Sequence, residues 1–241
     1  TGKTADASTT DKHLLENLSR AGQRMMGFCK STFFKRIDSS GFSFLLTLYR
    51  HILRNAVFIY AIENKLPLPI GDENNLPEEW IEDEDINDLF QTSDSDEDSE
   101  IDIPTDLKVY MEKARQYYEL LSQKNNVAWI ESTYFKRTLK QHLKQDCEQI
   151  IKMILLCGKW EAPADQKLNE LETLLNKTHK GDKVLVFTQY SDTANYIYRQ
   201  LRKRGFTHID RATGGSKNPT AIVERFSPLS NNADVSSSDE L

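Results

Sequence analysis

The sequence of 241 residues predicts an α/β protein, in which a largely α-helical N-terminal part precedes a smaller, partial parallel α/β lobe. Two observations lead to this prediction. Before Gly158, apolar residues recur with helical spacing. Beyond Pro163, a continuous apolar run at 183–188 (KVLVFT) lies between two segments with helical spacing. Such a run is typical of a strand buried on both faces of a parallel sheet.

Four helices are predicted before residue 160. The strongest spans Leu45 to Tyr60, where apolar residues recur at i, i+3, i+4 and i+7, with polar caps before them and prolines after them. A weaker helix is predicted around 14–25, and two further helices are predicted around 107–121 and 135–155. These helices make up most of the N-terminal part.

The C-terminal lobe is predicted from alternating elements. A short helix precedes the first strand, and a helix capped by Ser191 or Asp192 follows it and ends near Gly205. A second strand at 208–212 then leads to a helix that begins at Asn218 and Pro219. Alternation of this kind implies a parallel sheet, whose ligands collect at the carboxyl ends of the strands.

Charge is distributed unevenly along the chain. The segment 72–106 holds 16 of the 37 acidic residues and no Lys or Arg, so the remainder carries 31 bases against 21 acids. Its core at 91–100 (QTSDSDEDSE) has too little apolar surface to offset the entropy of ordering. We therefore expect a helical segment at 1–71, a disordered acidic insert at 72–106, a helical segment at 107–160, the partial lobe at 161–228 and a disordered tail at 229–241.

Several classes of protein do not fit the composition. The longest apolar runs are four or five residues, against about 20 for a membrane-spanning helix, so no membrane association is expected. Three cysteines without a CxxC pair suggest neither a disulfide framework nor a zinc site. The chain begins with Thr and has no apolar leader, which indicates a piece of a longer cytoplasmic protein.

Two turns at the predicted strand ends are candidate phosphate contacts. One comprises Thr188, Gln189, Tyr190 and Ser191, where hydroxyls, an amide and backbone N–H groups precede a helix. The other comprises Thr213, Gly214 and Gly215, where paired glycines permit a close backbone approach. The first set of residues could equally well cap a helix, and the second could equally well form an ordinary turn without a ligand.

A basic stripe is the third candidate. Lys136, Lys140 and Lys144 recur every four residues on the face of the predicted 135–155 helix that lies opposite its apolar stripe. Such a stripe can bind phosphates or can be merely the solvated side of a helix. We identify no catalytic residue and no metal ligand, because the five histidines lack ligand or base spacing.

The stretch from Lys167 to Ser227, with KVLVFTQY at its centre, resembles the opening of the second RecA-like lobe of Swi/Snf-like ATPases of helicase superfamily two. Residues 33–41 and 49–55 are similar to the helical region that joins the two lobes in a bacterial branch of these helicases. The resemblance departs where Ala212, Thr213, Gly214 and Gly215 stand in place of the usual Asp before a Gly-Ser/Thr pair, and the family's arginine motif and first lobe are absent.

The resemblance implies an ATP-dependent DNA helicase or translocase of bacterial origin, with ATP and Mg²⁺ as cofactors of the intact protein. It implies that the 188–191 turn lies against the nucleic-acid backbone and that the missing first motor lobe is a partner. Because no phosphate-cradling loop is identifiable, we expect no ATP hydrolysis by this chain alone.

Two alternatives stay open at this stage. The chain could instead be a non-catalytic helical scaffold whose acidic insert recruits a basic partner. A partial sheet would also expose an unpaired strand edge and apolar surface, which favours self-association.

Overall fold

The computed structural model describes residues 33–71, 103–124 and 127–233, together with Lys12, Leu15 and Ser31. The chain divides into two compact units. The first comprises Thr1–Lys35 and Phe44–Lys159, and the second comprises Arg36–Ser43 and Trp160–Leu241. Apart from Leu15, which is helical, the predicted helix around 14–25 lies outside the described residues, as do the core of the acidic insert at 91–100 and the end of the tail beyond 233.

Three long helices dominate the first part of the chain. They are α1 (Gly41–Glu63), α2 (Leu107–Ser122) and α3 (Thr138–Cys157), which confirms the helices predicted at these places. Residues 33–39 are also helical. Asp106 caps α2, because its side chain accepts a hydrogen bond from the backbone N–H of Lys108.

The core of the first unit is built around α1, whose Ile52, Leu53 and Ala56 are completely buried. From α2, the buried ring of Tyr110 packs against Tyr49 with ring centroids 5.4 Å apart. From α3, the thiol of Cys147 donates to the backbone oxygen of Ile52 over 3.8 Å. Each fully buried aliphatic side chain contributes about 1.5–3 kcal/mol to folding.

A small antiparallel sheet completes the first unit. It pairs β1 (Leu68–Gly71) with β2 (Ala128–Ile130), placing Leu68 opposite Ile130, with a register shift between Pro69 and Gly71. The sequence analysis missed both strands, because they are three or four residues long and β1 contains a proline, which is unfavourable within a sheet.

Among its described residues, the second unit contains the α-helices α4 (Gln166–Thr173), α5 (Ser191–Lys203), α6 (Pro219–Phe226) and α7 (Pro228–Asn231), and a π-helical turn at Leu174–Thr178 continues α4. Asn218 caps α6 as predicted, and Gly205 after α5 has the expected positive φ of 93°. The predicted cap of α5 was wrong: its N-cap is Tyr190, and its side chain makes no capping hydrogen bond. The predicted disordered tail begins within α7.

The two predicted strands of the second unit are not formed. Residues 183–188 and 208–212 have no regular secondary structure, and the sheet found among the described residues is the β1–β2 pair. A strand buried on both faces needs neighbouring strands and covering helices. Without them Leu185 and Phe187 are 62% and 89% exposed. The described chain is therefore mostly helical.

Aromatic packing joins the segment 36–43 to the rest of the second unit. Phe42 stacks on Tyr196 with ring centroids 4.6 Å apart, and Trp160 meets Tyr196 edge-on at 6.1 Å. A Cβ atom at Gly41 would lie 2.6 Å from the Trp160 ring, so a side chain there does not fit without movement. In the part of the chain that is described, no helix combines the length and apolarity needed to span a bilayer.

Candidate functional site

The turn before α5 is held by contacts within the second unit. The Thr188 hydroxyl lies 3.3 Å from the Ser39 hydroxyl and accepts from the backbone N–H of Tyr190 at 3.4 Å. The Tyr190 ring is buried beneath the Arg36 guanidinium, 4.0 Å from its centroid. Gln189 is exposed and Ser191 is half-buried. Two of the four predicted phosphate contacts are therefore engaged in internal packing.

A buried ion pair lies beside this turn. Arg36 donates to Asp192 over 2.7 Å, and their side chains are only 2% and 7% exposed. Next to it the Thr193 hydroxyl lies 2.9 Å from that of Ser39 and 2.8 Å from that of Ser43. The sequence signal for this network is the polar spacing of Arg36, Ser39 and Ser43 along one side of a helical segment.

The glycine turn after residue 212 is open. The backbone N–H of Thr213 donates to the Ser216 hydroxyl over 2.9 Å, and the N–H of Ser216 donates back to the Thr213 oxygen over 3.1 Å. Gly214 and Gly215 are exposed, and a Cβ at Gly214 would meet no atom within 4 Å. Among the described residues, nothing accepts a hydrogen bond from the N–H of either glycine. These two donors can therefore reach a phosphate oxygen.

Two arginines that the sequence analysis missed lie in the same unit. The exposed Arg211 precedes the glycine turn and stacks on Tyr198, 4.9 Å from the ring centroid. The pKa of Arg199 lies below its usual value, mainly because the side chain is buried and secondly because Arg211 is positively charged. The negative charge of Asp192 raises that pKa and so opposes the shift. The two positive charges therefore repel each other, and a bound anion would relieve that repulsion. No sequence spacing connects these two residues.

The basic stripe is only partly free. Lys140 forms an ion pair of 2.8 Å with Glu63, with both side chains about half-exposed. Lys144 is exposed on the same helix, whereas the exposed Lys136 lies two residues before α3 begins at Thr138, so the predicted stripe does not run along one helix over all three lysines. Exposed ion pairs contribute at most about 1 kcal/mol, so a phosphate could replace Glu63 at little cost. The stripe remains available to a polyanion.

The basic residues Arg50 and Arg54 on α1 make contacts inside the first unit and do not form an exposed basic surface. Arg50 is 3% exposed, and Arg54 lies 2.9 Å from the Nδ1 atom of His51. Burial, followed by the charge of Arg54, lowers the pKa of His51 to about 3. The imidazole is therefore neutral at physiological pH and can accept the Arg54 hydrogen bond.

The described residues show little that is suited to catalysis. No group of three or more His, Cys, Asp or Glu side chains among them is arranged to hold a metal ion. Burial raises the pKa of Cys147 to about 11, which disfavours the thiolate needed for nucleophilic attack. The exposed groups described above, backbone N–H groups with Lys and Arg side chains, are of the kind that can bind an anion.

Comparisons of the chain with protein-family models, with curated proteins and with solved structures give no match. The assignment of a role to these residues therefore depends on their own chemistry and geometry.

Proposed function

We propose that this chain is part of an ATP-dependent DNA translocase of the Swi/Snf-like kind and contributes contacts to the nucleic-acid backbone. The observation that carries the proposal is the open turn at 213–216, whose glycine N–H groups are exposed and have no described acceptor. The likeness of the sequence around KVLVFTQY to the second RecA-like lobe supports the same role.

Positive charge near this turn strengthens the case. Arg211 and Lys217 flank it and are exposed, and Arg199 lies close enough to Arg211 for their charges to interact. Backbone N–H groups and Arg or Lys side chains supply most phosphate contacts in protein–DNA interfaces. Such contacts read no base, so binding should be independent of sequence.

The family likeness implies ATP and Mg²⁺ for an intact motor. The described residues offer no cluster of acidic or histidine side chains for a metal ion. We assign the turn at 213–216, with Arg211 and Lys217, to nucleic-acid binding alone. Added ATP should leave the DNA affinity of this chain unchanged.

The test is fluorescence anisotropy of labelled 20-mer duplex and single-stranded DNA across a salt series. We expect affinity to fall steeply with salt, because each neutralised phosphate of a duplex contributes about −0.9 to the slope of log K against log [salt]. Replacing Arg211 by Glu should lower the affinity about tenfold or more and reduce that slope by about one. The double replacement Lys136→Glu with Lys144→Glu should reduce the slope of log K against log [salt] by about two.

Lys152→Glu is the matched control, since Lys152 is an exposed lysine on α3, about 120° around the helix axis from Lys140. It should change the affinity by less than about twofold. The proposal fails if DNA does not bind even at low salt, or if Lys152→Glu weakens binding as much as the stripe substitutions do.

A second candidate function is favoured by the internal contacts of the 188–191 turn. Thr188 and Tyr190 are committed to Ser39 and Arg36, which fits a structural role better than a phosphate site. Under this alternative the chain is a helical scaffold whose acidic insert recruits a basic partner. Absence of DNA binding, together with salt-sensitive binding of a polylysine probe, would support it.

A further inference from the structure

The run from Val184 to Phe187 is apolar and exposed. Leu185, Val186 and Phe187 are 62%, 50% and 89% exposed. Among the described residues, no backbone hydrogen bond involves Val184, Leu185, Val186 or Phe187. Valine and phenylalanine favour strands, and the chain from 184 to 190 contains no charge, proline or glycine. The run therefore has the composition and free backbone groups of a strand without a partner.

Contacts at both ends hold this run in place. At its start, the Lys183 amine donates to the Phe226 backbone oxygen over 2.8 Å. At its end, Thr188 contacts Ser39, and the buried Tyr190 lies under Arg36. Because its ends are already fixed, pairing costs less conformational entropy than it would for a free loop.

We propose that the run pairs with the same run of a second copy of this chain, as two antiparallel strands related by a twofold axis. In a parallel, in-register pair, Asp182 and Lys183 would each face their own like charge, which is destabilising. In an antiparallel pair, these charges face the uncharged end of the other run instead.

Symmetry limits the register of this pair. Hydrogen-bonded and non-hydrogen-bonded residue pairs alternate along an antiparallel ladder, so a twofold axis must pass midway between a residue and its own copy on the other strand. With Val186 at the axis, Leu185 faces Phe187, and Val184 faces Thr188. Lys183 then faces Gln189. Each apolar or β-branched side chain thereby meets another, and no like charges are opposed.

The area available predicts a weak dimer. Phe187 offers on the order of 150 Å², and the other exposed side chains of the run add less each. The total falls below the roughly 1,200 Å² of a stable interface. Association should therefore be weak and should depend on concentration.

Sedimentation velocity of the complete chain, at concentrations from about 5 to 500 μM, tests this directly. We expect the dimer fraction to rise with concentration for the original chain and to fall at least about fivefold in Phe187→Lys. Leu229→Lys is the matched control, because Leu229 is 93% exposed in the same unit but lies on α7. It should dimerise as the original chain does. Circular dichroism checks that each variant keeps its helices.

A cross-link tests the register. In a background carrying Cys29→Ser and Cys157→Ser, Val186→Cys should form an intermolecular disulfide on mild oxidation, because directly opposed strand residues have Cα atoms about 4.5–5.5 Å apart. Gly214→Cys, in the exposed turn, should cross-link at least about tenfold less. A monomer at every concentration, equal loss of dimer in Leu229→Lys, or equal cross-linking of the two cysteine variants would overturn the inference.

Discussion

The two units of this chain are stabilised by different chemistry. In the first, completely buried aliphatic residues of α1 form the core, among them Ile52, Leu53 and Ala56. In the second, the most apolar run is exposed, while charged and hydroxyl side chains are buried, with Arg36 and Asp192 at 2% and 7% exposure. The second unit therefore combines a buried ion pair and hydroxyl cluster with buried apolar residues such as Leu168 and Leu201, and its most apolar run is not part of that core.

This difference has an energetic consequence. Apolar contacts are non-directional, so an aliphatic core loses stability gradually when one side chain is shortened. A buried polar network depends on each partner, because removing one leaves the other without compensation. The second unit should therefore be more sensitive to the removal of single polar atoms.

The largest expected effect is in this network. Arg36→Ala leaves the Asp192 carboxylate buried without its partner at 2.7 Å, so we expect the second unit to lose about 3–5 kcal/mol of stability. Urea unfolding monitored by circular dichroism measures the loss. The double replacement Arg36→Met with Asp192→Leu is the control, and it should recover most of the stability. A loss below about 1 kcal/mol in Arg36→Ala would show that the stability of the second unit does not depend on this buried ion pair.

The next effect concerns the aliphatic core. Leu53→Ala removes a completely buried side chain from α1, and we expect a loss of about 2–5 kcal/mol in the first unit. Leu156→Ala on α3 makes the same chemical change at a position that is 88% exposed, and it should cost less than about 0.5 kcal/mol. Equal midpoints for the two variants in urea would show that α1 is not the centre of this core.

The third test concerns a polar group within the first unit, whose effect grows with each pH unit. Because the pKa of His51 is about 3 in the folded chain and 6.5 ordinarily, only the unfolded chain binds this proton between those values. Stability should therefore fall as the pH drops below about 6.5, by up to about 1.4 kcal/mol per pH unit, and level off near pH 3.

Urea unfolding at pH 7, 6, 5 and 4 measures this slope. His51→Gln should flatten it while keeping an acceptor for Arg54, whereas His142→Gln, at an exposed position on α3, should not. The explanation fails if both variants keep the original pH dependence.

The helices, and the start of one of them, were the parts that the sequence predicted well. Periodicity identified the helices around Leu45–Tyr60, 107–121 and 135–155, and Asn218 with Pro219 marked the start of α6. These signals are local, because a helix forms its hydrogen bonds within its own segment.

Strands could not be predicted in the same way. The run at 183–188 has strand composition but no neighbouring strand among the described residues, whereas Leu68–Gly71 has a proline and still pairs with Ala128–Ile130. Pairing depends on a distant segment, so composition alone does not decide it. The same limit applies to Arg199 and Arg211, whose proximity no sequence spacing reveals.

The aromatic contact at Gly41 also gives the molecule separate optical reporters. Trp160 lies against Gly41 and Tyr196 in the second unit, and Trp129 lies against Tyr118 in the first. A chain in which Trp80 and Trp129 are replaced by phenylalanine would emit from Trp160 alone. Its fluorescence would then report the release of the 36–43 segment independently of the melting of the helical core.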